Sequence, residues 1–192
     1  SVRNTSKFLN DKLTLDLSYM LSTVKEQNMI SQGQYFNPLY ALYLFPPGAD
    51  FNAVKYFERY DADRNFPVQY WPWGDMSMSM QNPYWTTERD KFVNHKERHI
   101  FTASLKYDIA PWISLTGRVK YDRNDDRYEK KYAASTINQF AHSDTGFYGL
   151  THQNTRQYYA EAFANINKYF DQDRWNITAT IGTSYDQRNL DR

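Results

Sequence analysis

The chain has 192 residues, no cysteine and a formal net charge of +1, with acidic and basic residues interspersed along its length. This composition excludes a disulfide framework and thiolate metal sites, and it argues against the basic stripe of a nucleic-acid-binding protein. No run approaches the roughly 18 to 20 apolar residues of a membrane-spanning helix, so a membrane protein of this sequence would cross with β-strands.

Five segments alternate apolar and polar residues with the period of two that is typical of a β-strand with one apolar face. In the first, KLTLDLSYML, Leu13 and Leu15 share a face opposite Thr14 and Asp16. The last, RWNITATIGTSYD, places Trp, Ile, Ala, Ile, Thr and Tyr at every second position. The predicted strands lie near residues 12–27, 99–109, 112–123, 157–168 and 174–187.

The connections between these strands alternate in length. Strands two and three are joined through APW, and strands four and five through YFDQDR, both of hairpin size. KFLNDK before strand one looks like a third such turn, so SVRNTS is expected to end an earlier strand. Long loops are predicted at 28–97 and 124–157. Short turns on one side and long extracellular loops on the other are the plan of a transmembrane β-barrel.

The strand lengths suit a bilayer. Trp112 and Tyr121 are nine steps apart, and Trp175 and Tyr185 are ten, which at about 3.3 Å per residue and a tilt near 40° gives roughly 23 to 25 Å. These four aromatic residues are predicted to lie at the two membrane interfaces. The predicted fold class is all-β, an antiparallel transmembrane β-barrel segment with long extracellular loops. Since five or six strands cannot close a barrel, the chain is expected to belong to a larger sheet or to be one of several copies.

The polar faces of the predicted strands carry ionisable residues that would look into an aqueous lumen. They are predicted either to line the path of a solute or, as the commoner arrangement, to pair across strands. A soluble antiparallel sandwich alternates in the same way and stays open as the alternative fold. The lumen-facing residues are Asp16, Lys106, Asp108, Arg118, Lys120, Asp122 and Glu161.

The first long loop is rich in aromatic residues. Flat aromatic faces can stack on sugar rings or anchor a partner protein, so the loop is predicted to bind substrate or partner. The alternative, favoured by stiffening prolines such as Pro72 and Pro83, is that the same residues pack a small core of the loop itself. The residues are Tyr70, Trp71, Trp73, Tyr84 and Trp85.

Two other stretches of that loop predict local structure. Asp50 is expected to cap a short helix through FNAVKYFERY, because apolar residues recur there at three-residue spacing. Met76, Met78 and Met80 alternate with serines and are expected to pack on a loop hairpin.

The remaining charged motifs predict neither a metal site nor an enzyme. His95 and His99 of HKERH are four apart, but Glu97 is misplaced for a zinc helix, and the segment leads into a strand. DADRN and RNDDR lack the glycine and terminal glutamate of a calcium loop and are predicted to be solvated loop charges. No Ser/His/Asp or Cys/His arrangement and no glycine-rich phosphate loop is apparent. We therefore predict no metal, no cofactor and no enzymatic activity.

Several longer motifs resemble those of one known family. The first loop carries NPLYALYLFPPGADF, YDADRNFPVQYWPWGD and QNPYW, which are similar to loop motifs of SusC/RagA-type TonB-dependent outer-membrane transporters. SLKYDIAPWISLTGRVKYD and YYAEAFANINKYF are similar to barrel hairpins of that family. The resemblance runs from about Asp11 to Tyr185 and assigns residues 1–192 to a partial barrel domain from the middle of the barrel, with neither the plug domain nor a TonB-contacting segment.

The resemblance implies a 22-stranded barrel in the outer membrane of Bacteroidota-type bacteria that imports oligosaccharides or peptides. A SusD-like surface lipoprotein would cap the barrel, and the TonB complex would supply energy through the plug. The alternative function is a secreted, soluble β-sandwich module that binds glycans with its loop aromatics. The two hypotheses predict different behaviour in solution. A barrel segment contacts outer-membrane lipid and aggregates without detergent, whereas a sandwich is a soluble monomer.

Overall fold

Long β-strands dominate the chain, as the period-two alternation predicts. The computed structural model describes residues 1–29, 36–73, 81–170 and 174–192. The predicted all-β, antiparallel class is confirmed over these ranges. The strands are β1 (Val2–Phe8), β2 (Leu13–Gln27), β3 (Glu58–Asp61), β4 (Phe66–Gln69), β5 (Lys91–Ala110), β6 (Ile113–Tyr132), β7 (Phe147–Phe170) and β8 (Trp175–Asp191).

Six strands form one meandering sheet in the order β1-β2-β5-β6-β7-β8, and β3 and β4 form a separate two-stranded sheet. β1 pairs antiparallel with β2 in a register that sets Phe8 opposite Leu13. The turn between them uses Leu9, Asn10 and Asp11, whose φ angles are 55°, 55° and 66°. Asn and Asp adopt this left-handed conformation more readily than other non-glycine residues. The structure thus places a hairpin at KFLNDK and a strand before it.

Four strands extend further than the alternation predicts, among them β8, which continues to Asp191 instead of 187. β5 begins at Lys91 instead of near residue 99, β6 continues to Tyr132 instead of 123, and β7 begins at Phe147 instead of 157. The loops predicted at 28–97 and 124–157 are shorter by the same residues. The physical reason is that both faces of these extensions carry polar side chains, so the apolar alternation stops although the backbone pairing of the sheet continues.

The chain divides into two compact units. Unit 1 comprises Ser1–Val24, Lys96–Asp126 and His152–Arg192 and consists of strand segments and their turns. Unit 2 comprises Lys25–His95 and Arg127–Thr151 and contains β3, β4 and the helices.

The helices of unit 2 are short, and two of the α-helices begin at capping asparagine side chains. Asn37 Oδ1 accepts a hydrogen bond from the backbone N–H of Leu39, Asn82 Oδ1 accepts one from Tyr84, and each asparagine is followed by a proline at the first helical position. In the described part of the chain, no helix is both long enough and apolar enough to span a bilayer. The helices are α1 (Pro38–Tyr43), α2 (Pro83–Glu88) and α3 (Asn138–Ala141), with a 3-10 helix at Phe51–Lys55.

The helix predicted through FNAVKYFERY is correct only at its start. Asp50 caps it, accepting a hydrogen bond from the backbone N–H of Asn52 at 2.9 Å. The helix ends at Lys55, however, because Glu58 already belongs to β3 and pairs with Gln69 of β4. The predicted methionine hairpin of Met76, Met78 and Met80 lies outside the described residues, as do residues 171–173 of the turn YFDQDR.

Candidate functional site

The register of unit 1 separates polar and apolar side chains onto two faces of its strands. Between β7 and β8, Glu161 lies opposite Ser184, and Ala164 lies opposite Ile181. Directly opposed residues share a face, so each strand contributes alternate residues to each side. We call the side with Asp16, Arg118, Asp122, Glu161 and Ser184 the polar face, and the side with Leu15, Leu105, Leu115, Ala164 and Ile181 the apolar face.

No protein layer covers the apolar face of unit 1 among the described residues. Leu115 is 45% exposed and Ile181 is 67% exposed, while Leu15 is half-buried by its neighbours in the sheet. A shallow groove of about 420 Å³ crosses this face where Gly117 and Ala160 stand between larger side chains. In a β-sandwich the same residues would interdigitate with those of a facing sheet.

Aromatic residues mark one end of the apolar face. The ring of Tyr121 lies 5.1 Å from that of Tyr158 between centroids. Two residues further along the same side of β6 stands Arg123, and the hydroxyl of Tyr185 on β8 donates to Gln187 at 2.6 Å. The apolar side chains therefore stop at a row of tyrosines, beyond which the same face is polar.

The opposite end has a comparable boundary. The Nζ atom of Lys168 lies 4.5 Å from the ring centroid of Trp112 and 5.1 Å from that of Phe170. Trp175 at this end is 70% exposed. Lysine beside exposed aromatic rings is the combination found at membrane interfaces. All four predicted interface aromatics thus lie at the ends of the apolar face.

All seven residues predicted to face a lumen take part in ion pairs on the polar face. Arg118 Nη1 lies 2.7 Å from Glu161 Oε1, across β6 and β7. Arg3 Nη2 lies 2.5 Å from Asp16 Oδ2, across β1 and β2. Pairing across strands, one of the two roles that the sequence left open, is present at Asp16, Arg118, Asp122 and Glu161. Lys106, Asp108 and Lys120 pair along their own strands. The remaining pairs are Lys106 with Asp108 at 2.9 Å, and Arg98 and Lys120 with Asp122 at 2.7 and 3.3 Å.

Asp122 stands at the centre of a small network on the polar face. It is 5% exposed and accepts two hydrogen bonds from Arg98, from Nε at 2.9 Å and from Nη2 at 2.7 Å. Lys120 supplies a second cation to the same carboxylate. This bidentate geometry holds the Arg98 guanidinium in place, and the two cations outnumber the one carboxylate.

An open cleft of about 330 Å³ indents the polar face beside Asp122. Its walls are polar side chains from β5, β6, β7 and β8, all within unit 1. The sequence interpretation missed most of this site, since five of its residues lie beyond the predicted ends of the strands. No alternation marks these residues in the sequence, because both faces of the strand extensions are polar. The lining residues other than Asp122 are Arg98, Asn124, Gln153, Thr155, Gln157 and Arg188.

Two of the loop aromatics predicted to bind substrate or partner are buried in the structure. Trp71 is 5% exposed and Trp85 is 1% exposed, so neither offers a ring face to a ligand. Trp71 packs with Ala41 and Val54 in the core of unit 2. The alternative of a small core within the loop describes Trp71, because burying a large aromatic surface stabilises the segment. Trp85 is buried as well, and its indole N–H donates to Thr136, which lies in the second predicted loop.

The other three loop aromatics lie half-buried around that core. The ring of Trp73 is 5.3 Å from Phe45 and that of Tyr84 is 6.4 Å from Phe57, between centroids. The Cζ atom of the Arg59 guanidinium lies 5.4 Å from the ring centroid of Tyr70. Each of these rings is only partly buried. A role in binding stays a prediction for Tyr70, Trp73 and Tyr84.

Asp90 is a fully buried carboxylate in unit 2. Its Oδ1 accepts hydrogen bonds from Thr136 Oγ1 at 2.7 Å and from the backbone N–H of Ala133 at 3.0 Å. Trp85 Nε1 donates to the same threonine hydroxyl at 2.9 Å. Oδ2 has no hydrogen-bond partner among the described residues. Burial raises the pKa of Asp90 to about 6, although both hydrogen bonds act to lower it.

Asp125 in unit 1 has the opposite environment. It is half-exposed, and His152 Nε2 and Asn154 Nδ2 lie 2.7 and 3.0 Å from its two carboxylate oxygens. The hydrogen bond with His152 is the main cause that lowers the pKa of this carboxyl. RNDDR, which contains Asp125, lies within β6 and not in the predicted loop, because both of its faces are polar while the strand continues.

The other charged motifs have structural roles. In DADRN, Asp61 Oδ1 accepts backbone hydrogen bonds from Asp63 and Arg64 and so closes the turn between β3 and β4. In HKERH, His99 lies 2.8 Å from the hydroxyl of Tyr19 and 2.7 Å from a carboxylate oxygen of Glu97. Within the described ranges, no group of three or more His, Cys, Asp or Glu residues is arranged to hold a metal ion.

No protein-family model matches the chain, and no curated protein matches it.

Proposed function

We propose that this chain forms part of the wall of an outer-membrane β-barrel, a TonB-dependent transporter of the SusC/RagA kind that imports oligosaccharides or peptides. The observation that carries the proposal is the apolar face of unit 1. It is bounded at both ends by aromatic residues, and no described residue covers Leu115 or Ile181. A lipid bilayer provides an apolar phase of the matching thickness.

The energy of the apolar face favours a lipid environment. Apolar surface in water costs roughly 25 cal/mol per Å², and monomeric soluble proteins rarely expose contiguous apolar patches larger than a few hundred Å². Here exposed aliphatic side chains lie on three of the strands, as at Leu105 of β5, Val119 of β6 and Ile181 of β8. Acyl chains would cover all of them without a second protein layer.

The polar face supports the same proposal from the other side of the sheet. Its charges are arranged in pairs, as at Arg118 with Glu161, and these pairs need contact with water or with each other. An aqueous lumen provides that water. β7 is 24 residues long, which exceeds the roughly 9 to 11 residues that cross a bilayer, so only its apolar portion would lie in the membrane.

The edges of the sheet fit a larger barrel. β1 and β8 each pair with a single neighbour within the described chain. Long unpaired edges promote association with other strands, and barrel closure removes them. In the proposed 22-stranded barrel, further strands would pair with both edges.

The partners in this proposal rest on the resemblance of the loop and hairpin motifs. They are a SusD-like lipoprotein at the cell surface and the TonB complex, which would act through the plug. The half-buried loop residues Tyr70, Trp73 and Tyr84 are the candidates for contacts with substrate or lipoprotein. We propose no enzymatic activity for the chain.

Paired cysteine substitutions would test the lipid contact, because the chain has no natural cysteine. Ile181→Cys and Thr180→Cys are adjacent on β8 and lie on opposite faces. Each variant is refolded in phospholipid vesicles and labelled with a nitroxide, and its collisions with oxygen and with a water-soluble nickel complex are measured by electron paramagnetic resonance.

The expected result is that the label at 181 favours oxygen and the label at 180 favours the nickel complex. Equal exposure of both labels to nickel would contradict the membrane proposal. So would a natural chain that remains folded and monomeric in buffer without detergent.

A further inference from the structure

Several hydrogen-bonding groups in the cleft beside Asp122 are not used by the protein itself. Arg188 has no ion pair or side-chain hydrogen bond among the described residues, although its register partner is the polar residue Gln157. The side-chain amides of Asn124 and Gln153 are also without hydrogen-bond partners in the described ranges. By contrast, charged residues of the polar face such as Asp16, Arg118 and Glu161 form ion pairs.

The cleft is positively charged. Arg98 and Lys120 share the carboxylate of Asp122, and Arg188 adds a third cation. The second carboxylate nearby is Asp186, which accepts hydrogen bonds from the Gln157 amide at 2.9 and 3.0 Å and makes no ion pair with Arg188. The lining itself contains two arginines and one carboxylate, and the guanidinium of Arg188 is the one without an ion pair among the described residues.

The chemistry of these groups defines the ligand. A free guanidinium binds a carboxylate through two parallel hydrogen bonds, and neutral amides are suited to hydroxyl groups, since they both donate and accept. The lining contains no aromatic and no large apolar side chain that would bind the hydrocarbon parts of a peptide. A volume of about 330 Å³ lies at the lower end of the range for small-ligand sites.

The geometry points to a binding site for acidic saccharides, in which Arg188 binds a sugar carboxylate and Asn124 and Gln153 bind neighbouring hydroxyls. Arg98 is held by Asp122 and presents its remaining N–H groups to the same cleft. The inference rests on the proposed function and narrows it, because it names uronic-acid oligosaccharides as the substrate class that the polar face of the importer receives.

Calorimetric titration of the chain in detergent micelles tests this site with three probes. Tetragalacturonate carries carboxylates and hydroxyls, its methyl ester has the hydroxyls without the charge, and tetraglutamate has the charge without the hydroxyls. Tetragalacturonate is expected to bind at least about tenfold more tightly than either of the other two, since each lacks one class of hydrogen bond. Equal binding of the ester, or tighter binding of tetraglutamate, would overturn the saccharide assignment.

The matched variants are Arg188→Gln and Arg156→Gln. Arg156 lies on the opposite face of unit 1 and pairs with Asp191 at 3.2 Å, so its removal controls for loss of one arginine. Arg188→Gln is expected to weaken tetragalacturonate binding about tenfold, and Arg156→Gln to leave it unchanged. Gln153→Ala, which removes an unpaired amide, provides a second variant with a smaller expected loss.

The two proposals fail in different ways. If the chain inserts into vesicles but does not bind tetragalacturonate, or binds it equally well after Arg188→Gln, the site is refuted and the membrane proposal stands. If the chain folds in plain buffer and binds tetragalacturonate with the expected dependence on Arg188, the site stands and the membrane proposal is refuted.

Discussion

Trp85 in unit 2 and Trp175 in unit 1 are the same type of side chain in opposite environments, one buried and one exposed. Trp85 is 1% exposed, packed by protein on all sides, and its indole N–H donates to Thr136. Trp175 is 70% exposed at the end of an uncovered apolar face. Unit 2 therefore builds its own apolar core, whereas the apolar face of unit 1 is left uncovered by the described chain. A comparison of variants in the two units tests this difference directly.

The largest expected effect is the loss of the Trp85 side chain. Trp85→Ala leaves a cavity and removes the donor to Thr136, which costs about 3 to 5 kcal/mol of unfolding free energy. The measurement is urea unfolding of the chain in detergent micelles, followed by tryptophan fluorescence and near-UV circular dichroism. Trp175→Ala is the control and should cost less than about 1 kcal/mol in the same micelles. Similar losses for both variants would remove the distinction between the units.

The second prediction concerns the apolar face of unit 1, which would contact lipid in the proposed barrel. Ile181→Lys is expected to destabilise the folded chain in phospholipid vesicles by about 2 to 4 kcal/mol, because it places a charge in the hydrocarbon region. Thr180→Lys places the same charge on the polar face and should change the stability by less than about 1 kcal/mol. Folding in vesicles is titrated with urea. An equal penalty at both positions would be incompatible with lipid on one side only.

The third prediction uses two carboxylates with opposite pKa shifts. The folded-state pKa of Asp90 is about 6, above the ordinary value of 3.8, so the folded chain binds more protons than the unfolded chain between these values. The contribution of Asp90 to stability is fully present below pH 3.8 and is lost as the pH rises through about 6. The difference between the two pKa values, at about 1.4 kcal/mol per pKa unit, corresponds to a loss of about 3 kcal/mol of unfolding free energy.

Asp90→Asn should remove this dependence, because the amide resembles the protonated carboxyl in having one acceptor oxygen for Thr136 and Ala133. We expect the variant to be more stable than the natural chain at pH 7 and close to it at pH 4, in urea titrations at both values. Asp125 provides the contrast. Its lowered pKa means that its contribution is present at neutral pH and is lost only as the pH falls through its folded-state value. A natural chain that gains no stability between pH 7 and pH 5 would contradict the assignment to Asp90.

The smallest expected effect is at the ion pairs of the polar face. Arg118→Gln removes the pair with Glu161, which is partly solvated, and should cost only about 0.2 to 1 kcal/mol. The same urea titration in micelles measures it, with Arg118→Lys as the control that retains the charge. A loss above 2 kcal/mol would indicate that this face is dry.

Alternation predicted the strands wherever one face is apolar, as in Leu13 to Leu21 and in Trp175 to Tyr185. It did not predict the extension of β5 back to Lys91 or of β6 to Tyr132, because backbone pairing in a sheet does not need an apolar face. For the same reason the cleft was missed. Arg98, Gln153 and Arg188 lie where the apolar signal has ended but the strands continue.

The sequence by itself determined the β class, the hairpin turns and the division of each strand into a polar and an apolar side, because these follow from nearest-neighbour alternation and turn chemistry. Only the tertiary structure decided that Trp71 and Trp85 are buried, that Asp90 is enclosed, and that Arg188 has no side-chain partner within the described ranges. These properties depend on which residues distant in the chain meet in space. Alternation and turn motifs along the chain do not specify such long-range contacts.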